Sequence, residues 1–226
     1  MSQKAKSDLA SLLSEKAGLK QDIYAQTRDA FTVLSNEAER VVKLLHSQIA
    51  SKDSRVRLIF SKKSDFEFQI HVGGDVLVFL MHTNIFKIEP TNSLWSTSYL
   101  KKDANRSFCG VINIYNYLHD SLFYNRLNDI GYLVGRLLIN VENHYILQTE
   151  GKPLSFHNNF TESVFDSSNA KNIVEDLVHL VLNFDMYLPP FKNVAELTVD
   201  EMTLATQSQQ FKTGKRLGFQ FTIEED

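Results

Sequence analysis

The chain has 226 residues, of which 43% are hydrophobic and 11% are aromatic, so it carries enough apolar side chains for a packed core. A formal net charge of −3 excludes the strongly basic composition that draws proteins to nucleic acids or anionic membranes. The single cysteine, Cys109, cannot form an internal disulfide, and no apolar run reaches the ~18 residues that a membrane-spanning helix needs. Residues 1–20 are charged and amphipathic without the apolar core of a signal peptide, so we expect a cytoplasmic protein.

The N-terminal part of the chain has the apolar spacing of an α-helix. Between Leu19 and Ser51 apolar side chains recur every three or four residues, and Gly18 separates this helix from a short amphipathic segment at residues 7–17. A helix of that length measures roughly 50 Å, whereas a domain of this size has a radius of gyration of about 17 Å. The helix therefore either bends around the core or packs partly on a second subunit.

Residues 55–89 have the alternating pattern of antiparallel strands. Two such runs meet at Gly73-Gly74, which predicts a β-hairpin with a primed turn. In that register the facing pairs are Val72 and Asp75, Ile70 and Leu77, Phe68 and Phe79, Phe66 and Met81, and Asp65 and His82. The last pair predicts a hydrogen bond at the open end of the hairpin. The second strand is apolar on both faces, so we expect it in the interior of the sheet with the N-terminal helix as one cover.

The rest of the chain predicts more strands and two further helices. Residues 91–107 form a long loop anchored by Trp95 and Tyr99, and residues 108–118 form a strand. Residues 120–149 fit a helix or, as we favour, a short helix or turn at 121–128 and a hairpin that turns at 141–143. The last predicted elements are a helix at 168–185 capped by Ser167 or Ser168, a helix from Thr198 to about Gln210 and a strand over Leu217–Ile223.

These elements predict one α+β domain over residues 1–226. A mostly antiparallel central sheet is covered by the helix at 168–185 and by the long N-terminal helix. The N-terminal helical segment, residues 1–51, packs on this domain or on a partner subunit.

Three short runs carry a resemblance to a known family. Residues 128–133 (Asn-Asp-Ile-Gly-Tyr-Leu), 140–144 and 213–219 resemble segments of an uncharacterised bacterial protein family of unknown function. The resemblance covers most of the chain after about residue 22. It implies one continuous unit and a bacterial cytoplasmic setting, and it transfers no catalytic residue.

One candidate catalytic group lies at the predicted turn of the second hairpin. Asn140, Glu142, Asn143 and His144 are residue types used in acid–base chemistry, placed where side chains converge. No second ligand segment with metal-binding spacing accompanies them, so turn-forming residues with a half-exposed histidine are the simpler interpretation.

A second candidate group is Asp65, Glu67 and His82 near the open end of the first hairpin. Carboxylates on neighbouring strands hold Mg²⁺ in nuclease-like sheets. In such enzymes an acidic residue is followed by Glu-x-Lys on the next strand. That pattern is absent here, because Lys87-Ile88-Glu89 runs in the opposite order. Solvated charges at a strand edge are the simpler interpretation.

Basic and aromatic residues give the remaining candidates for ligand binding. Lys212, Lys215 and Arg216 surround Gly214, where backbone amides could meet a phosphate, although the helix-to-strand order is the reverse of a phosphate loop. Trp95 and Tyr99, with nearby lysines, could stack nucleic-acid bases, which the acidic net charge disfavours. Cys109 lies in a predicted strand and is interpreted as a buried hydrophobe.

Together these patterns favour a non-enzymatic interaction or ligand-binding protein that forms a homo-oligomer. The alternative is a hydrolase or nuclease that uses Glu142 and His144, or Asp65 and His82. We expect no metal, no cofactor and no membrane or nucleic-acid partner. The small molecule or protein that it binds is not specified by the sequence.

Overall fold

A computed structural model describes residues 3–149, 159–183, 191–193, 195–196, 198–200 and 202. Within these residues the helices are α1 (Gln3–Ala50), α2 (Ser98–Lys102), α3 (His119–Phe123) and α4 (Ser167–Leu182). The strands are β1 (Leu58–Lys62), β2 (Glu67–Val72), β3 (Asp75–Met81), β4 (Phe86–Lys87), β5 (Phe108–Leu118), β6 (Tyr132–Asn140) and β7 (Tyr145–Gln148). Short 3-10 helices lie at Ser93–Ser96, Ala104–Ser107 and Phe191–Asn193.

The strands of the described chain form one antiparallel sheet in the order β1-β2-β3-β5-β6-β7, and β4 also pairs with β5. The predicted α+β class is therefore confirmed, with α1 packed on the sheet. The apolar strand β3 lies between β2 and β5, as its two-sided pattern predicted. The hairpin interpretation of residues 132–148 is also confirmed, because β6 pairs with β7 in antiparallel register.

The first hairpin has the predicted register. Val72 faces Asp75, and the Phe68–Phe79 and Ile70–Leu77 pairs follow. Gly73 has a φ of 58°, whereas Gly74 is not in the left-handed region, which is the combination of a type II′ turn. Glycine at the first central position enters this conformation without steric cost, so the Gly-Gly pair fixes the register.

The predicted hydrogen bond between Asp65 and His82 is wrong. Strand β2 begins at Glu67, so Asp65 lies in the preceding turn, where its Oδ1 is 3.5 Å from Lys62 Nζ. His82 lies beyond the end of β3, and its backbone N–H donates to the Val111 carbonyl at 2.8 Å. The two strands stop pairing before this position because each chain end turns toward a different neighbour.

Helix α1 is longer than predicted because it continues through Gly18. One glycine in a helix costs only about 1 kcal/mol relative to alanine, and strong helix formers flank this one. The 48-residue helix is therefore roughly 72 Å long. Its segment from Ile23 to Val42 packs on the body, whereas residues 8–18 are exposed. Part of the helix thus packs in cis, and its N-terminal third projects.

The main core lies between α1, α4 and one face of the sheet, here called the helical face. Phe68 and Phe79 are fully buried there, and their rings stack with centroids 4.3 Å apart. Helix α4 begins after Asp166, whose side chain accepts the Asn169 N–H at 2.7 Å. Asp166 is therefore the N-cap instead of the predicted serines, and its carboxylate also suits the positive end of the helix dipole.

The opposite face of the sheet, here called the open face, is partly covered by residues 88–107. Apolar side chains from this segment pack with those of β5 and β6 in a second cluster, which contains Ile88, Leu100, Cys109, Val111, Leu138 and Phe160. Trp95 and Tyr99 pack against the same cluster, so they are the anchors that the sequence predicted for this loop. Among the described helices none has the length and apolar content to cross a membrane.

Several predictions fall on the C-terminal part of the chain. Val199, Asp200 and Met202 are helical, and the remainder of the predicted helix to Gln210 lies outside the described residues. The predicted strand Leu217–Ile223 and the candidate residues Lys212, Lys215 and Arg216 lie outside them as well. Phe184, within the predicted helix at 168–185, lies outside them too.

Candidate ligand-binding site

A cleft of about 460 Å³ lies on the open face of the sheet, between residues 86–94 and strands β5 and β6. It forms because β4 pairs with only the first residues of β5, after which the chain leaves the sheet and crosses its face. The cleft is lined by His82, Phe86, Lys87, Ile88, Glu89, Thr91, Asn92, Leu94, Cys109, Val111, Asn113, Arg136, Leu138 and Gln148.

The floor of the cleft changes from apolar to polar along the strands. Alternate residues of a strand share a face, so β5 presents Val111 and then Asn113, while β6 presents Leu138 and then Arg136. Val111 faces Leu138 across the ladder, and Asn113 faces Arg136. The cleft thus has an apolar layer beside a layer of hydrogen-bonding groups, the usual composition of a small-molecule site.

Arg136 is the main charged group of the polar layer. Its Nε donates to Asn113 Oδ1 at 3.2 Å, and in the described part of the chain no carboxylate forms an ion pair with it. The side chain is exposed. Its guanidinium therefore has donors on both terminal nitrogens, Nη1 and Nη2, that can bind a ligand.

Lys87 connects the cleft to the aromatic wall behind it. Its Nζ lies 5.5 Å from the ring centroid of Trp95 and 5.4 Å from that of Phe108. Trp95 donates its indole N–H to the Ile88 carbonyl at 3.1 Å, and Ile88 itself lines the cleft. The single tryptophan of the chain is thus coupled to the cleft wall, so its fluorescence can report on ligand binding.

Cys109 is a nucleophilic residue type at the floor of the cleft. It is 1% exposed, and burial raises the pKa of its thiol to about 12. The thiol therefore stays protonated at neutral pH, which removes the thiolate that nucleophilic chemistry needs.

We expect Cys109 in the native protein to resist alkylation by iodoacetamide at about pH 8, because the buried thiol is neutral there. Mass spectrometry of the intact chain measures the added group. The same protein in denaturant is the control and should be alkylated completely. Stoichiometric alkylation of the folded protein within minutes would contradict the assigned burial.

The predicted group at the β6–β7 turn forms a hydrogen-bonded network outside the cleft. Glu142 accepts from the Tyr99 hydroxyl at 2.7 Å with Oε2, and its Oε1 lies 2.9 Å from Nη2 of Arg106. The hydrogen bond from Tyr99, supported by Arg106, holds the pKa of Glu142 below its usual value. Burial in turn raises the pKa of Tyr99. Both oxygens of Glu142 are thus engaged in fixing α2 and the following turn to the sheet.

Asn140 and His144 complete this network. The fully buried Asn140 accepts from the backbone N–H groups of Glu142 and His144 and donates to the Tyr99 hydroxyl at 2.8 Å. His144 Nδ1 lies 3.0 Å from the Phe160 carbonyl, and its ring stacks on Tyr99 with centroids 4.8 Å apart. Asn143 has a φ of 61°, as a turn residue. This geometry supports the structural interpretation, and a catalytic role for Glu142 and His144 stays a prediction.

The second predicted group is not brought together. Glu67 accepts from its strand neighbour Gln69 at 2.7 Å, Asp65 lies beside Lys62, and His82 accepts the Asn84 N–H at 3.0 Å. Of the three, His82 lines the cleft. Within the described residues no group of three or more histidine, cysteine or acidic side chains is placed to hold a metal ion.

The aromatic candidates for base stacking are also occupied. Arg106 lies 4.4 Å from the ring centroid of Tyr99, which His144 also contacts, and Trp95 faces Lys87. Both side chains are partly buried against the second cluster. They thus serve as packing anchors, whereas a nucleic-acid surface requires exposed ring faces.

Comparisons with protein-family models, with curated proteins and with solved structures found no match to this chain. The site therefore rests on geometry alone. Sequence reasoning missed Arg136 and Asn113, although one signal was present. Arg136 is the single charged residue of β6, and an isolated charge in an otherwise apolar strand marks a position where the sheet face is not covered.

Proposed function

We propose that this protein is a non-enzymatic ligand-binding protein that holds a small molecule in the cleft on the open face. The observation that carries the proposal is the cleft itself, whose volume of about 460 Å³ and mixed lining match those of small-molecule sites. The position of the cleft relative to the candidate catalytic residue Glu142 supports binding over catalysis. Glu142, a carboxyl whose pKa the hydrogen bond from Tyr99 lowers, lies outside the lining and is engaged by Tyr99 and Arg106.

Fragment screening by nuclear magnetic resonance tests this proposal. A library of rule-of-three fragments is added to ¹⁵N-labelled protein, and amide shifts are mapped on the fold. We expect the shifted amides to cluster at residues 86–94, at 109–113 of β5 and at 136–138 of β6. Shifts that cluster on another surface, or a library that yields no binder at millimolar concentration, would overturn the proposal.

We further propose that the protein is a homodimer. The projecting part of α1 exposes Leu9, Leu12 and Leu13 at 55%, 48% and 66%. Leu12 and Leu13 follow Leu9 by three and four residues, so the three side chains share one side of the helix. Such a stripe is stabilised when a second apolar surface covers it. The proposed partner is a second copy of the chain, because the projecting part of α1 lies beyond the sheet and the other described helices of its own chain.

Light scattering coupled to size exclusion should give about twice the chain mass of 25.9 kDa. Replacing Leu9 and Leu13 by serine should shift the mass toward the monomer, because it removes apolar area from the stripe. Leu182→Ser is the matched control, since Leu182 is 64% exposed at the end of α4. A monomeric mass for the unaltered protein at high micromolar concentration would contradict the proposed dimer.

A bacterial cytoplasmic setting completes the proposal. The single cysteine suits a reducing compartment, where proteins lack disulfides. The resemblance of residues 128–133 and 140–144 to a bacterial family supports the source. The acidic net charge of −3 favours a small molecule or protein over nucleic acid as the partner.

A further inference from the structure

We infer that the cleft takes a small carboxylate, whose anionic head binds Arg136 and whose apolar body lies against Val111 and Leu138. The inference rests on the proposed function, because it names the chemical class of the ligand in the same cleft. It goes beyond that function by assigning a specificity-determining residue.

Arg136 carries a charge that no carboxylate of the described residues balances. Three arginines of the described chain have carboxylate partners: Arg40 pairs with Glu37 at 2.6 Å, Arg55 with Asp53 at 2.8 Å and Arg106 with Glu142 at 2.9 Å. The guanidinium of Arg136 is held by a neutral amide, Asn113, and no ion pair forms with it among the described residues. An arginine that is positioned but not neutralised at the rim of a cleft favours an anionic ligand.

The remaining N–H donors of Arg136 lie on its two terminal nitrogens. Because Nε donates to Asn113, the edge of the guanidinium that carries Nε is occupied, and the N–H groups of Nη1 and Nη2 remain available to a ligand. Two parallel N–H groups at that end match the two oxygens of a carboxylate. Gln148 faces Arg136 from β7 and also lines the cleft, so a second neutral amide flanks the anion position.

The lining of the cleft as a whole favours an anion. Arg136 and Lys87 carry positive charge, while Glu89 is the acidic residue of the lining. A cationic ligand would therefore be repelled at the polar layer, and an uncharged one would leave the guanidinium without a counter-ion. The apolar layer of Val111, Leu138 and Leu94 beside it gives the ligand an apolar body.

The test uses matched fragments that differ in charge alone. Each arylalkyl carboxylate, such as 4-phenylbutanoate, is paired with its primary amide and its primary amine on the same skeleton. Binding is followed by Trp95 fluorescence and by amide shifts of β5 and β6. We expect each carboxylate to bind at least ~10-fold more tightly than its amide, because charge-assisted hydrogen bonds form in the carboxylate complex alone.

Variants assign the effect to Arg136. Arg136→Gln should reduce carboxylate affinity by ~10-fold or more and leave amide affinity unchanged. Arg136→Lys should give a smaller loss, because it keeps the charge without the planar fork. Arg28→Gln is the matched control, since it removes the same charge from an exposed position on α1, across the sheet from the cleft.

Amides that bind as tightly as carboxylates, or an Arg136→Gln variant that binds carboxylates unchanged, would overturn the carboxylate assignment. Both results would leave the cleft as a small-molecule site, so the proposed function would stand. Inorganic phosphate is included as a competitor, and its failure to displace the carboxylate is expected. Displacement at low millimolar phosphate would overturn the carboxylate as the preferred anion.

Discussion

Replacing Phe79 by alanine is expected to lower the free energy of unfolding by ~3–5 kcal/mol. Phe79 is fully buried in the strand between β2 and β5, and its ring stacks on Phe68 with centroids 4.3 Å apart. The substitution removes the transfer free energy of the ring and leaves a cavity between the sheet and α1, because the stiff sheet cannot collapse to fill it. Urea unfolding followed by circular dichroism measures the change.

Phe123→Ala is the matched control for that experiment. Phe123 is 68% exposed at the end of α3, so its loss should change the free energy of unfolding by less than ~1 kcal/mol. If Phe79→Ala were no more destabilising than this control, the central position of β3 would be wrong.

The second large effect is expected at Gly110, where Gly110→Ala should cost about 3 kcal/mol. Strand β5 passes so close to α1 that an added Cβ would overlap the side chain of Thr27. Thr27 is fully buried, and its hydroxyl donates to the Ile23 carbonyl at 2.7 Å, so it cannot rotate away. The helix or the strand must shift instead, and the packing of the helical face loosens.

Two further variants assign this effect to the close contact. Gly74→Ala is the control, because nothing lies within 4 Å of the position its Cβ would take, and it should change stability by less than ~1 kcal/mol. Adding Thr27→Ala to Gly110→Ala should recover part of the loss, since it removes the overlapping branch atoms. Additive losses in the double variant would show that α1 and β5 are not in contact at this point.

Most of the fold could be predicted because its signals are local. The Gly73-Gly74 turn and the alternation around it fix the first hairpin, since a slip by one residue would turn Phe68 and Phe79 to the opposite face. The three- and four-residue spacing likewise fixes α1 and α4. The errors fall at the ends of elements. Helix α1 continues through Gly18, where an interruption was predicted, and β2 and β3 stop pairing before Asp65 and His82. Where an element ends depends on the neighbouring parts of the fold.

The cleft could not be predicted because it depends on the path of a loop. The sequence shows that residues 91–107 carry aromatic anchors, but it does not show which strand residues they cover and which they leave open. Arg136 and Asn113 come together through the β5–β6 register, which contains a bulge between Ile114 and Tyr115. The group that sequence reasoning did select, Glu142 and His144, lies at a turn where polar residues serve the backbone.

The most direct test of the cleft as the binding site is a crystal structure of the protein with its tightest-binding carboxylate fragment. We expect electron density for the fragment between residues 86–94 and strands β5 and β6, with carboxylate oxygens about 2.7–2.9 Å from Nη1 and Nη2 of Arg136. Density for the fragment on another surface, with the cleft filled by solvent alone, would contradict it.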